Sequence, residues 1–210
     1  MYTPAHFAEA DLGKLHAAIE AYSFATLVCE HDGELTASHL PLLLRREGGP
    51  AAKCGTLVGH MAKANAQWGQ AAGKEVLAIF SGPHTYISPT WYQDEKTVPT
   101  WNYVAVHATG TGALVEDPEQ VKALLADLVR TYESPGPSAW SFEGLAPDYL
   151  AGMQRGIVAF EIPIDRLEGK AKLSQNRDAV DQARTREALA ATDDPLAQTV
   201  AALMAGAPPR

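Results

Sequence analysis

Residues 101–115 follow a two-residue period of large, small and β-branched side chains, reached through a connection crowded with prolines, and this run restricts the fold more than any other feature. Successive strand residues point to opposite faces, so Tyr103, Ala105, His107 and Thr109 share one side and Asn102, Val104, Val106 and Ala108 the other. Such a strand needs partners, and the preceding segments offer them as hairpins. Residues 24–29 form an apolar run, His31-Asp32-Gly33 is turn chemistry, and residues 35–44 return as a second strand before a loop over 46–50. Residues 54–60 and 76–80 read as strands separated by a helix over 61–72, where Ala, Lys and Gln recur. A strand over 157–164 closes the set. Hairpins with helices inserted between them predict an α+β fold, a mostly antiparallel barrel or sheet with flanking helices.

The helices carry their own signals. Asp11 can cap a helix reaching about Ala21, with Leu12, Leu15, Ile19 and Tyr22 on one face. Asp117-Pro118-Glu119-Gln120 starts another, because Asp accepts from early N–H groups and Pro fits the first helical position. Val121, Leu124, Leu125, Leu128, Val129 and Tyr132 then form a stripe suited to packing on a sheet. A break over 134–137, a short helix over 148–154 and helices over 177–191 and 196–204 follow, the last pair split at Asp194-Pro195 and trailed by a tail expected to fray. The expected organisation is one domain over 1–177 and a helical extension over 178–210, packed on that domain or on a dimer partner.

Composition narrows the function. No stretch approaches the roughly 18 unbroken apolar residues that span a bilayer, and the N-terminus lacks a basic segment followed by an apolar run, so a cytoplasmic protein without a membrane partner is expected. A net charge of −8 disfavours nonspecific nucleic-acid binding, since Arg45-Arg46 is short and residues 170–186 mix bases with acids. DNA contact through a local patch on a dimer stays open. Cys29 and Cys54 form no C-x-x-C pair, and His39, His60, His84 and His107 show no helical i, i+4 spacing, so no metal site is expected. Neither a dinucleotide fingerprint nor a phosphate-binding P-loop is present, and no Ser sits in a G-x-S-x-G turn.

Three segments remain that carry chemistry. Residues 80–92 hold four rings and two prolines, and Trp101, Asn102 and Tyr103 add two rings and an amide. Aromatic walls with a few amides suit a flat heterocycle, and they suit a core or a dimer interface equally. Gly59, Lys63 and Asn65 fall where a strand is expected to become a helix, which is either a phosphate seat or a helix start with a solvated Lys. Lys172-Leu173-Ser174-Gln175-Asn176 is either the wall of a site or a loop braced by its own amides.

Taken in order, Met1-Tyr2-Thr3-Pro4 with His6-Phe7, His39-Leu40-Pro41, Gly59-His60 with Ala64-Asn65, Gly82-Pro83-His84 with Tyr86-Ile87-Ser88-Pro89, residues 98–103, and Gly169-Lys170 with residues 172–176 form a pattern reaching to about Arg177. This pattern resembles the PaiB family of negative transcriptional regulators that bind flavin mononucleotide (FMN). The resemblance implies a split β-barrel of the pyridoxamine-phosphate-oxidase type, a homodimer with flavin sites between subunits, and repression of sporulation and degradative-enzyme genes. Carried over by position, Lys63 and Asn65 would hold the phosphate or ribityl chain, and Thr100, Trp101 and Asn102 would line the flavin. Lys172, Ser174 and Gln175 would close the site, and His39, Tyr86 and Ser88 complete the set expected to bind cofactor. Thr90 and Lys63 depart from the family pattern while preserving hydroxyl and charge. The residues leave the use of the flavin open between a regulator, a flavin-dependent oxidoreductase or flavin reductase, and a haem-type binder using a His on the same barrel; no catalytic residue is assigned.

Overall fold

A computed structural model of the chain describes residues 1–47, 52–133, 140, 142 and 145–209. Its elements run β1 (Ala8–Glu9), α1 (Leu12–Ala21), β2 (Phe24–His31), β3 (Glu34–Pro41), β4 (Leu43–Arg45), β5 (Thr56–Ala62), α2 (Gln67–Ala71), β6 (Glu75–Ile87), β7 (Thr100–Thr111), β8 (Ala113–Val115), α3 (Pro118–Tyr132), α4 (Pro147–Arg155), β9 (Ile157–Lys172), α5 (Ala179–Ala190) and α6 (Pro195–Met204). The hydrogen-bonded strand order is β3-β2-β6-β7-β9-β5-β4, with β1 and β8 also pairing β9. This is an open, mostly antiparallel α+β sheet rather than a closed barrel. The chain divides into two compact units, Met1–Ser23 with Ile79–Ala108 and Leu167–Arg210, and Phe24–Ala78 with Thr109–Arg166.

The second unit begins with the expected hairpin. Asp32 at φ 54° and Gly33 at φ 84° give the turn both of its left-handed residues, so β2 and β3 pair from His31↔Glu34 to Phe24↔Pro41. Gln67, fully buried, staples this hairpin by donating Nε2 to the carbonyls of Leu27 at 2.9 Å and Thr36 at 3.1 Å. The strand expected over 35–44 breaks at buried Leu42, after which β4 leaves to pair with β5. Leu124 and Leu128 of α3 meet Val58 and Ala159 in one cluster, with Val121 and Leu125 alongside, while Tyr132 stays exposed. Asp117 caps α3 by accepting from Glu119 and Gln120.

The helix expected over 61–72 shrinks to Gln67–Ala71. Met61 and Ala62 instead continue β5 opposite Val158 and Ile157, since ladder pairing outweighs the few tenths of a kcal/mol of helix propensity per residue. Gly110 allows a close crossing, because a Cβ there would stand 2.0 Å from the Pro163 carbonyl oxygen. The break expected over 134–137 lies outside the described residues, as do 48–50 of the 46–50 loop.

In the first unit, β1 pairs with the end of β9 through Ala8↔Lys170 and Glu9↔Gly169. Asp11 caps α1 through the Lys14 N–H. Helices α5 and α6 contribute Leu189, Ala197, Val200 and Ala201 to a core shared with Ile87 and Tyr92. Two lengths differ from expectation. β6 runs on through Pro83 to Ile87, so most of residues 80–92 is strand rather than loop, and β9 has 16 residues rather than the eight of 157–164. Both extensions look like loops in sequence because proline and charged residues interrupt their apolar pattern. Beyond α6 the chain does not simply fray, since Ala207 donates to the Ala202 carbonyl and Gly206 takes φ 86°.

Candidate functional site

Strand alternation builds an aromatic and cationic face in the first unit. His84 and Tyr86 of β6 are exposed while Thr85 and Ile87 between and beyond them are buried. Trp101, half exposed, meets the Tyr86 ring edge-on at 6.1 Å and His84 at 6.2 Å. On β9, Lys170 and Lys172 share a face by their i, i+2 spacing. Lys170 Nζ donates to the Tyr2 carbonyl at 3.0 Å and lies 5.2 Å from the Tyr103 ring and 5.6 Å from that of Tyr2. Lys172 Nζ donates to the Thr100 hydroxyl and to the Trp101 carbonyl, with the Phe7 ring 5.8 Å away. Arg177 lies over the Tyr92 ring at 4.1 Å.

Among the described residues no ion pair engages Lys170, Lys172 or Arg177. Burial, and then the repulsion of Lys170 and Arg177, push the Lys172 ammonium below its ordinary pKa of 10.5. A set of unneutralised cations beside hydroxyls and exposed rings is what a phosphorylated, flat heterocycle requires. The residues present therefore fit FMN, with its dianionic phosphate and planar ring.

Other expected residues play different parts. Asn102 and Ser174 are buried and bonded to each other, Asn102 Nδ2 donating to Ser174 Oγ at 2.9 Å and Ser174 Oγ returning a bond to Asn102 Oδ1 at 3.3 Å. Their polar groups are spent on holding the turn, in which Ser174 takes φ 65°. Gln175 braces the same turn by accepting from the Leu173 N–H and donating to the Ala171 carbonyl, as the self-braced reading of this loop expects. Ser88 Oγ accepts from the Thr90 N–H and bonds the Thr90 hydroxyl at 2.8 Å.

His39, Lys63 and Asn65 belong to the second unit. His39 Nδ1 bonds Thr26 Oγ1 at 3.0 Å, and Asn65 donates to Ser38 Oγ at 2.8 Å while accepting from the Gln67 N–H. The helix-start phosphate seat expected here is not formed. The Lys63 N–H donates to Gly156, the Asn65 N–H to Ala62, and the nearest helix begins only at Gln67 and is five residues long. The Lys63 side chain is exposed and borders a hollow of about 510 Å³ with Glu116, Gln154 and Arg155.

Lys170 and Arg177 were not among the residues expected to bind cofactor. Their signal was present, because Lys170-Ala171-Lys172 continues a strand alternation once β9 is extended past 164. No helix of the described residues is long and apolar enough to cross a membrane.

Comparison with known proteins agrees with this chemistry. Residues 1–166 match the family model described as "Putative FMN-binding domain". The chain is 34% identical over 205 residues to protease synthase and sporulation protein PAI 2 of Bacillus subtilis, covering 97% of this chain and 96% of that one. An uncharacterised protein of Aspergillus fumigatus is 33% identical over 193 residues, covering 70% and 73%. Among solved structures, the flavocytochrome Anf3 of Azotobacter vinelandii superposes with a TM-score of 0.62 at 18% identity, over 84% of this chain and 75% of that one. The FAD and heme binding protein of Mycobacterium smegmatis superposes with a TM-score of 0.56 at 16% identity, over 84% and 78%. The fold and the near full-length relationship make this chain a member of the PaiB family of FMN-binding proteins, an α+β split-barrel protein with FMN as its cofactor.

Proposed function

We propose that the chain is a homodimeric regulator of PaiB type in which FMN occupancy or redox state sets a repressing form. The observation that carries this reading is the face of Lys170, Lys172 and Arg177 without carboxylate partners, set beside the exposed rings of Trp101 and Tyr86. In it, Lys172 and Lys170 hold the phosphate, the Thr100 hydroxyl orients the ribityl end, and Trp101 and Tyr86 cover the ring. Bound flavin would supply reversible two-electron chemistry there. The Asn102–Ser174 pair fixes the turn that aims Lys172. Exposed rings of this size on one face also suit burial against a second copy.

Near full-length similarity to PAI 2, whose name couples protease synthesis to sporulation, supports regulation over a housekeeping reaction. The test has two arms. Protein purified without added cofactor should show flavin absorption, or quench FMN fluorescence on titration, and the flavin-loaded protein should retain specific promoter DNA in a salt-sensitive way. A colourless protein that neither quenches nor is stabilised by FMN overturns the flavin assignment. Rapid bleaching by NADPH with turnover in air, without DNA retention, would replace the regulator with a flavin reductase.

A further inference from the structure

The first unit contains a hollow of about 450 Å³ that, of the residues assigned to FMN, Lys170 alone lines. It lies between α1, the middle of β7, the end of β9 and the C-terminal residues 206–209. The hollow exists because the elements around it present little side chain: Gly13, Ala17 and Ala18 on α1, and Gly169 and Ala171 on β9. Leu15, Val104, Val106 and Leu203 make the walls apolar. Of the charged groups on its rim, Lys14 pairs with Glu9 at 3.2 Å, Asp11 Oδ1 accepts from the Lys14 N–H, and Lys170 Nζ donates to the Tyr2 carbonyl at 3.0 Å. Apolar walls hold water poorly. Its volume falls in the range of small-molecule sites.

We propose that this hollow binds a small uncharged apolar molecule, such as an aromatic hydrocarbon or aryl amine, as an effector. Two observations select that class. The charged side chains that line it are engaged elsewhere, Lys14 with Glu9 and the Lys170 ammonium with the Tyr2 carbonyl and the Tyr2 and Tyr103 rings, and Ala207, Pro208 and Pro209 roof it, so a protein partner would have to displace the chain's own tail. The position also connects the ligand to the flavin face. Lys170 and Ala171 line the hollow, whereas the ammonium groups of Lys170 and Lys172 turn to Tyr2, Tyr103, Thr100 and Trp101, none of which lines it. A strand cannot shift Ala171 without shifting both lysines. An apolar molecule under α1 therefore changes affinity for FMN, a coupling that rests on the flavin reading while the pocket itself does not.

The probe is N-phenyl-1-naphthylamine, a neutral dye that brightens in apolar sites, titrated into the full chain with and without FMN. The expected result is saturable one-to-one binding, and a change of about fivefold or more in the FMN midpoint when the dye is saturating. Ala18→Phe and Ala207→Trp, which fill the floor and the roof, should each weaken dye binding by about tenfold or more while leaving circular dichroism and the FMN midpoint in the absence of dye unchanged. In the unaltered chain, the dye should slow amide exchange at Gly206 and Ala207. Non-saturable binding, displacement of the dye by stoichiometric FMN, or exchange at Gly206 and Ala207 that ignores the dye would overturn the proposal. Dye binding to a chain that never takes up FMN would leave the pocket standing and sink the flavin reading instead.

Discussion

Asn102→Ala tests the claim that this buried amide positions the Lys172 turn rather than touching flavin. The side chain is fully buried and makes two hydrogen bonds to the Ser174 hydroxyl, with Met204 Sδ 3.7 Å from its Nδ2. Removing it leaves the Ser174 hydroxyl buried without its partner, which costs about 1–3 kcal/mol. The small void left by the amide adds to this, for a total of about 2–4 kcal/mol. In a chain of this length, that lowers Tm by about 5–10 °C. Ser174→Ala should cost less than this, since it removes a smaller group, and the two losses should not add. A double-mutant cycle by urea unfolding should return a coupling of about 1–2 kcal/mol, with FMN affinity falling because the turn loosens. Additivity within about 0.5 kcal/mol would refute the brace. So would an Asn102→Ala protein of unchanged stability that has lost FMN binding, which would make Asn102 a direct ligand.

Lys172→Met should weaken FMN binding by about tenfold to a hundredfold, the worth of a charge-assisted contact to phosphate, and flatten its salt dependence in fluorescence titrations. Because burial and neighbouring cations lower the Lys172 pKa, a bound phosphate should raise it again, so calorimetry across the alkaline range below the ordinary lysine value of 10.5, in buffers of differing ionisation heat, should detect proton uptake with FMN that Lys172→Met abolishes. His60, with Nδ1 buried and without a hydrogen-bond partner, has its pKa pushed below 6.5 by burial. Its unfolded form binds the proton more readily, so stability should fall as pH drops below about 6.5 and level off once the folded pKa is passed, and His60→Gln should flatten the urea midpoint over that window. Gly110→Ala should prevent folding, read by circular dichroism, because its Cβ would meet the Pro163 carbonyl; an intact spectrum would show that β9 can yield there.

What the sequence determined by itself was local or chemically unusual. Caps at Asp11 and Asp117, the Asp32-Gly33 turn, the α3 stripe and the split at Asp194-Pro195 rest on neighbours a few residues apart, so short-range chemistry decides them. The ring and amide blocks were distinctive enough to point to an FMN-binding family. Tertiary structure decided what depends on distant partners. Residues 61–62 are strand because β9 pairs them, Pro83 sits inside a strand because the sheet continues past it, and β9 carries Lys170 and Lys172 because it is twice the length its apolar run suggests. Only the fold shows that Asn102 and Ser174 spend their polar groups on each other and Gln175 its own on the backbone of the same turn, while Lys170 and Arg177 make no ion pair among the described residues. A residue's type announces which bonds it can make; which of them it has left for a ligand depends on burial and on partners as far as 168 positions away along the chain, as Tyr2 is from Lys170.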